Sequence, residues 1–124
     1  MKITCGTDII EISRIQKAIE RTGEKFLHTV FTENEIEYCE KRGKMRYQHY
    51  AARFAAKEAA FKAVSDKIND VYQWTSFEVL KSQNGKPEVQ ISCKVDGLES
   101  ISLSISHCKE YATANVVAVF REEK

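Results

Sequence analysis

The sequence predicts an α+β fold, with helices in the first half of the chain and a mainly antiparallel sheet in the second. Apolar residues between positions 13 and 65 recur at helical spacing, whereas from position 72 onward they alternate with polar residues, as in strands. A strand at the N-terminus precedes the helices, and one helix is much longer than the others. The 124 residues suffice for one domain, which we expect to span 1–124.

The composition indicates a globular protein, since 43% of the residues are hydrophobic and 30% are charged. A net charge of +1 gives no overall attraction to nucleic acid or to an anionic membrane. There is no apolar run of membrane-spanning length and no signal-peptide pattern, so we expect a cytoplasmic protein. The four cysteines form no C-x-x-C pair and are expected to be reduced, mostly buried thiols.

The first third of the chain contains a strand and short helices. KITCGTDIIEI (2–12) is rich in β-branched residues and predicts a strand through about Ile10. Ser13 is the expected N-cap of a helix that ends at Gly23, and EKFLHTVF adds another turn or two of helix. One exposed face of the first helix is basic, with Arg14, Lys17 and Arg21.

The middle and the end of the chain show the change of period most clearly. Thr32 and Glu35 form a capping box for a helix that ends near Gly43, and a long helix should follow from about Arg46 to about Ser65. Four predicted strands come next: YQWTSFEVL (72–80), EVQISC (88–93), ESISLSISH (99–107) and YATANVVAVF (111–120). Asn84-Gly85 predicts a hairpin between the first two.

The stretch ARFAAKEAAFKA (52–63) is unusual because alanine fills six of its twelve positions around several charges. Glu58 and Lys62 project to one side of the helix, close to Ala51 and Ala55. The small side chains would let a ligand or another chain approach the helix backbone closely. The alternative is an exposed i,i+4 ion pair that merely stabilises the helix.

Asp8 is an acid within an otherwise apolar strand, where burial is unfavourable unless a cation or hydrogen-bond donors meet it. Asp8 and Glu58 together could hold a divalent ion such as Mg²⁺, which commonly takes one or two protein carboxylates. Alternatively, Asp8 caps the helix that begins near Ser13. Both interpretations remain open at this point.

A third group of polar residues lies in SISHCKEYA (104–112), where a strand gives way to a turn. His107 could act as a neutral base or donate to a phosphate, and Ser106 precedes it. A structural histidine bonded to the backbone is the alternative.

Four segments together resemble the holo-[acyl-carrier-protein] synthases, the short type of 4′-phosphopantetheinyl transferase. They are GTDIIEISRI, FTENEIEYC, ARFAAKEAAFKA and SISHCKEYATANVV, and they occur in the family's order and spacing over nearly the whole chain. The resemblance implies the 4′-phosphopantetheinyl transferase fold. It also implies transfer of the 4′-phosphopantetheine of coenzyme A to a serine of apo acyl carrier protein, which releases adenosine 3′,5′-bisphosphate and supports fatty acid biosynthesis.

The resemblance also implies roles for individual residues. Asp8 and Glu58 match the Mg²⁺ ligands, and Lys62 matches the lysine that contacts the phosphates. The implied cofactor-binding residues are Arg53, Ser106 and His107, with Asn84, Gly85, Lys86 and Pro87 near the adenine. Arg14 and Arg21 lie on the implied docking surface for the acidic carrier protein. The chemistry also needs a base for the serine proton, for which we expect Glu58 acting through a metal-bound water, with direct action by Glu58 or Asp8 as the alternative.

Members of this family are homotrimers with coenzyme A in clefts between subunits, so the resemblance implies the same assembly here. Two positions depart from the family pattern. The segment after the long helix lacks the usual glycine, leaving the path of loop 65–70 open, and Ala52 replaces a frequent glycine. The altered loop is compatible with a second function, a trimer that binds coenzyme A or a carrier protein without transferring anything. A third candidate, a small nucleic-acid-binding domain, is disfavoured by the net charge.

Overall fold

The long helix is the centre of the molecule, and two antiparallel sheets pack against it. The computed structural model describes residues 1–122. Its elements are β1 (Lys2–Glu11), α1 (Ile12–Thr22), α2 (Glu24–Val30), α3 (Glu33–Glu40), α4 (Arg46–Val64), β2 (Phe77–Lys81), β3 (Pro87–Ile91), β4 (Leu98–His107) and β5 (Tyr111–Phe120). This order confirms the predicted α+β fold, with helices before most of the strands.

The larger sheet has the strand order β1-β5-β4, and β2 and β3 form a separate hairpin. Because side chains alternate along β5, one face carries Ala112, Ala114, Val116 and Ala118, all fully buried. The last three of these residues form one core cluster with the hairpin residues Phe77, Val79 and Val89 and with alanines of α4. Ala112 belongs to a second cluster, which includes Ala51 and Ala52 of the same helix. The opposite face of the larger sheet is left exposed.

The alanines of α4 fit the helix to its own sheets, so the expectation that they leave room for a ligand or a neighbouring chain is wrong. All six alanines between 52 and 63 are buried. Gly6 on β1 lies so close to the helix that an added Cβ would meet the Ala59 carbonyl oxygen at 2.0 Å. Thr4 donates a hydrogen bond of 2.6 Å to the Ala63 carbonyl. Small residues on both elements are therefore needed for this close approach of strand and helix.

Two of the predicted element boundaries are corrected by the structure. The segment predicted as strand 72–80 is a strand only from Phe77, because Trp74 begins a short 3₁₀ turn and stacks on Phe54 with 5.0 Å between ring centroids. The aromatic residues of this segment alternate with polar residues, which is the pattern of a strand, but they pack on α4 from a non-strand segment. Ser13 is not an N-cap, because α1 already begins at Ile12, whose N–H is bonded to the Glu110 carbonyl at 2.9 Å. The capping box of Thr32 and Glu35 is confirmed.

The loop after α4 turns without glycine because it stays in ordinary backbone conformations. A 3₁₀ turn at Ser65–Lys67 follows the helix, and among the described residues only glycines have positive φ. The Lys67 carbonyl accepts from Asp96 N–H at 2.8 Å, and Asn69 N–H donates to the Lys94 carbonyl at 2.9 Å. Pairing with residues 94–96 therefore fixes the loop path that the sequence left open.

A buried ion pair joins α3, α4 and β2. Lys57 Nζ lies 2.6 Å from Glu35 Oε1, and both side chains are fully buried. Lys57 also donates to the Phe77 carbonyl at 2.6 Å, while Glu35 accepts from the backbone N–H groups of Val79 at 2.8 Å and Thr32 at 2.9 Å. The carboxylate of the capping box thus also anchors the long helix to the hairpin.

The four cysteines are free thiols, as predicted, but only Cys39 and Cys93 are buried, whereas Cys5 and Cys108 are exposed. Burial raises the pKa of Cys39 to about 12. No helix within residues 1–122 is long and apolar enough to cross a membrane.

Candidate active site

Asp8, Glu58 and Lys62 meet where β1 crosses α4. Asp8 lies in the middle of β1, where it pairs with Ala114, so it does not cap the following helix. Its side chain is 17% exposed and follows Thr4 and Gly6 on the strand face turned toward α4. Lys62 Nζ lies 3.3 Å from Asp8 Oδ1 and donates to the Thr7 carbonyl at 2.8 Å.

The three side chains are coupled electrostatically. Burial and the charge of Asp8 raise the pKa of Glu58, and the positive charge of Lys62 partly opposes this rise. The site therefore has two carboxylates and one ammonium group. It carries more negative charge than its single cation neutralises, so a second cation would be stabilised there.

An apolar pocket of about 240 Å³ adjoins this cluster. Its walls include the rings of Phe61, Tyr72, Trp74 and Phe77, and Glu58 lines it beside them. The segment that was predicted as a strand thus forms one wall of the pocket. A carboxylate at the edge of an apolar pocket can receive a proton from a ligand that the pocket holds.

The residues present fit a divalent cation that has further ligands from a substrate. Within the described part of the chain, no three His, Cys, Asp or Glu side chains cluster closely enough to hold a metal ion alone. Mg²⁺ usually keeps several waters and takes only one or two carboxylates together with substrate phosphates. Asp8 and Glu58 match that requirement and would hold such an ion, and the Lys62 ammonium lies beside Asp8 at the same place.

Arg53 and His107 belong to a second cluster that also includes Tyr38 and His49. The Arg53 guanidinium lies over the Tyr38 ring, 4.0 Å from its centroid, and its Nε is buried without a hydrogen-bond partner. The His49 ring makes edge-to-face contacts with Tyr38 at 5.7 Å and with His107 at 5.9 Å between centroids. His107 is the exposed member of this cluster, whereas Arg53 is buried.

The remaining predicted site residues lie elsewhere. Asn84, Gly85, Lys86 and Pro87 form the exposed end of the β2–β3 hairpin or begin β3, and no hydrogen bond or ion pair within residues 1–122 joins them to either cluster. Ser106 is exposed on β4, on the face opposite the core. Arg14 and Arg21 are exposed on α1. Lys81, at the end of β2, adds positive charge near His49, so the hairpin lies on the side of the second cluster.

Tyr38, Arg42 and His49 were missed by sequence reasoning. Arg42 also lies over the Tyr38 ring, with 4.1 Å from its Cζ atom to the centroid. Spacing offered a clue, because Tyr38 and Arg42, like His49 and Arg53, are four residues apart. That spacing identifies neighbours on one helix but not the contact between two helices.

The sequence profile of the 4′-phosphopantetheinyl transferase superfamily matches residues 4–116. The chain belongs to this superfamily. The match includes most of β1, all four helices and both clusters, and it confirms the family predicted from the four motifs. The phosphopantetheinyl transferase fold predicted with it is confirmed by the solved structures of the family.

Individual relatives agree with the superfamily assignment. The holo-[acyl-carrier-protein] synthase of Ruminiclostridium cellulolyticum is 50% identical, and the match covers 94% of this chain and 92% of that protein. The holo-[acyl-carrier-protein] synthase of Protochlamydia amoebophila is 47% identical, with 94% and 98% covered. A crystal structure of a holo-(acyl-carrier-protein) synthase from Bacillus anthracis in complex with CoA (3′,5′-ADP) matches with a TM-score of 0.77 and 38% identity, covering 93% of this chain and 94% of that one.

Proposed function

We propose that this phosphopantetheinyl transferase is a holo-[acyl-carrier-protein] synthase. It transfers the 4′-phosphopantetheine of coenzyme A to a serine of apo acyl carrier protein. The observation that carries the proposal is the convergence of Asp8, Glu58 and Lys62 beside an apolar pocket. A fatty-acid role and a cytoplasmic location follow from the same assignment and stay predictions.

The reaction replaces one phosphorus–oxygen bond by another. The serine Oγ attacks the phosphorus that bears the pantetheine, and the bond from this phosphorus to the bridging oxygen breaks. Adenosine 3′,5′-bisphosphate leaves with the electron pair of that bond. Lys62 donates to the departing phosphate and stabilises its charge. Glu58 accepts the serine proton, for which a raised pKa suits it.

Asp8 and Glu58 are the residues that would hold Mg²⁺. When bound, this ion neutralises pyrophosphate charge and polarises the phosphorus under attack. The pocket between Phe61, Tyr72 and Trp74 offers room for the pantetheine arm beside Glu58. The hairpin end, 84–87, and Ser106 are proposed to contact the nucleotide part.

Mass spectrometry of an apo acyl carrier protein incubated with this protein, coenzyme A and Mg²⁺ tests the proposal. We expect the carrier to gain the mass of one phosphopantetheine arm. EDTA should abolish the gain and added Mg²⁺ should restore it, because the two carboxylates cannot neutralise the pyrophosphate. Binding of coenzyme A with no mass gain for several carriers would instead support a non-catalytic binding module.

We propose a homotrimer in which the exposed face of the larger sheet is the interface. This face carries unusually exposed apolar side chains for a monomer, including Ile3 at 63%, Ile9 at 62% and Val117 at 43%. Ile3 on β1 and Val117 on β5 project from adjacent strands. Ile3 is opposite Val119 in the strand register, and Val117 is opposite Cys5. A neighbouring subunit would remove this apolar surface from water.

Replacing both Ile3 and Val117 with lysine is expected to dissociate the trimer, because each lysine would be desolvated in the interface. Sedimentation velocity should shift from trimer to monomer. Coenzyme A affinity should fall as well if the cleft is shared. Met45→Lys changes a similarly exposed apolar side chain outside the sheet and is the matched control. A trimer that persists in the double variant contradicts the assignment of this interface.

The basic side of α1 is proposed to bind the acidic carrier protein. Arg14 and Arg21 are exposed, and neither forms an ion pair within residues 1–122. Arg14→Glu is expected to raise KM for the carrier about tenfold while leaving KM for coenzyme A unchanged, since it replaces attraction by repulsion. Steady-state kinetics at low and high salt would check this, with Lys94→Glu as the control. Equal effects of the two substitutions would rule out a specific docking role.

A further inference from the structure

His49 connects the elements of the second cluster. Its ring is half-buried and contacts Tyr38 on α3 and His107 on β4, while Arg53 follows it by one turn on α4. His107 itself is exposed, and its ring contact to His49 is the only aromatic contact that it makes within residues 1–122. The His49 ring therefore restricts the orientation of the His107 side chain.

The charges around His49 are nearly all positive. The titratable and charged groups that face it are Tyr38, Arg42, Arg53, Lys81 and His107. Within residues 1–122 no carboxylate lies within ion-pair distance of Arg42 or Arg53. Arg53 is only 6% exposed, and its Nε has no hydrogen-bond partner. Such a concentration of uncompensated positive charge favours an anion.

The same surroundings determine how His49 titrates. Burial lowers the pKa of His49, and the positive charges of Arg53, His107, Arg42 and Lys81 lower it further. His49 is therefore neutral at neutral pH in the free protein. A bound phosphate reverses the sign of the local field, which favours proton uptake by His49.

We propose that His49 orients His107 and contributes a proton-dependent positive charge to a phosphate site formed with Arg53. The inference rests on the proposed coenzyme A binding. It concerns the phosphates of the nucleotide part, which remain in the product adenosine 3′,5′-bisphosphate. Since the complex binds more protons than the free protein, affinity for this product should rise as the pH falls.

Isothermal titration calorimetry separates the orienting role of His49 from its charge role. Binding of adenosine 3′,5′-bisphosphate is measured at about pH 8 and at about pH 6. His49→Phe keeps an aromatic ring against His107 but cannot be protonated, whereas His49→Ala removes both ring and charge. His28→Phe is the matched control, because His28 is exposed on α2 and paired with Glu24 and Glu33. The phosphates of the ligand also take up protons near pH 6. This affects binding to every variant equally, so it does not change the difference between variants.

Between about pH 8 and about pH 6, the affinity of wild type and of His28→Phe for this ligand should increase. We expect this increase to be about tenfold larger than the increase for His49→Phe. At about pH 8, where His49 is neutral, His49→Phe should bind within about twofold of wild type, whereas His49→Ala binds several-fold more weakly. Equal pH dependence of wild type and His49→Phe would overturn the charge role, and unimpaired binding by His49→Ala would overturn the positioning role. No binding by wild type would overturn the proposed function itself.

NMR titration of the histidine rings gives a second test that needs no variant. In wild type, saturation with adenosine 3′,5′-bisphosphate is expected to raise the pKa of His49, which burial and the neighbouring positive charges lower in the free protein. A His49 pKa that does not move on saturation, although the ligand binds, contradicts the inference and leaves the proposed function intact.

Discussion

Glu58→Gln is expected to lower the rate of phosphopantetheine transfer by about 10²–10⁴-fold, the range that general acid–base catalysis supplies. The amide keeps the size of the side chain but can neither accept the serine proton nor bind Mg²⁺ as a carboxylate. Initial rates from mass spectrometry of the carrier protein measure the effect. Glu37→Gln, which changes an exposed glutamate paired with Lys41 on α3, is the matched control.

The same substitution is expected to stabilise the protein at neutral pH when Mg²⁺ and coenzyme A are absent. Burial and Asp8 raise the pKa of Glu58, so the folded protein favours its neutral form. This preference contributes fully to stability below the unfolded-state pKa and is lost as the pH rises through the folded-state pKa. Urea denaturation should therefore show Glu58→Gln to be more stable than wild type at pH 7 and equally stable below about pH 4. Lower stability at pH 7 contradicts this account of the site.

The order of helices and strands could be predicted because it depends on local patterns. The capping box at Thr32, the glycine after α1 and the alternation in β5 each act within a few residues. Trp74 shows where such reasoning fails. Its alternation with neighbouring aromatic residues matched a strand, but stacking on Phe54 across the fold determines its conformation.

The candidate active site could be predicted only in part from its residues. Asp8 was conspicuous because an acid inside an apolar strand requires a partner. Nothing in the spacing says that the partner is Lys62, which is 54 positions away. The resemblance to the family placed Asp8, Glu58 and Lys62 in one site, but it implied that Lys62 contacts the phosphates and gave no contact between Lys62 and Asp8. His49 had no such support, because its importance comes from contacts with Tyr38 and His107 on two other elements.

The pattern of the alanine-rich segment does not distinguish Lys57 from the other charges. In the structure, Lys57 is fully buried against Glu35. Burial lowers the pKa of Lys57, and the negative charge of Glu35 opposes this effect. Glu35 was assigned only to the capping box, whose geometry is local. Its second role depends on how α3 packs against α4.

Lys57→Met is expected to lower the free energy of unfolding by about 3–5 kcal/mol, because it leaves the Glu35 carboxylate buried without its cation. Glu35→Gln should have a similar effect, since it leaves the ammonium group buried and also weakens the cap at Thr32. Urea denaturation measures both. Lys41→Met removes the exposed pair with Glu37 and should change stability by less than about 0.5 kcal/mol.

The double variant Glu35→Gln/Lys57→Met shows whether the buried ion pair adds to the stability of the protein or instead serves to position the active site. Replacing both members of a buried ion pair is often close to neutral, so the double variant should be much more stable than the sum of the single effects implies. Glu58 follows Lys57 directly on α4, so the pair also fixes where Glu58 projects into the pocket wall. If the double variant is stable but transfers more slowly, the buried pair serves to position the active site. Additive losses would show that the two charges act independently.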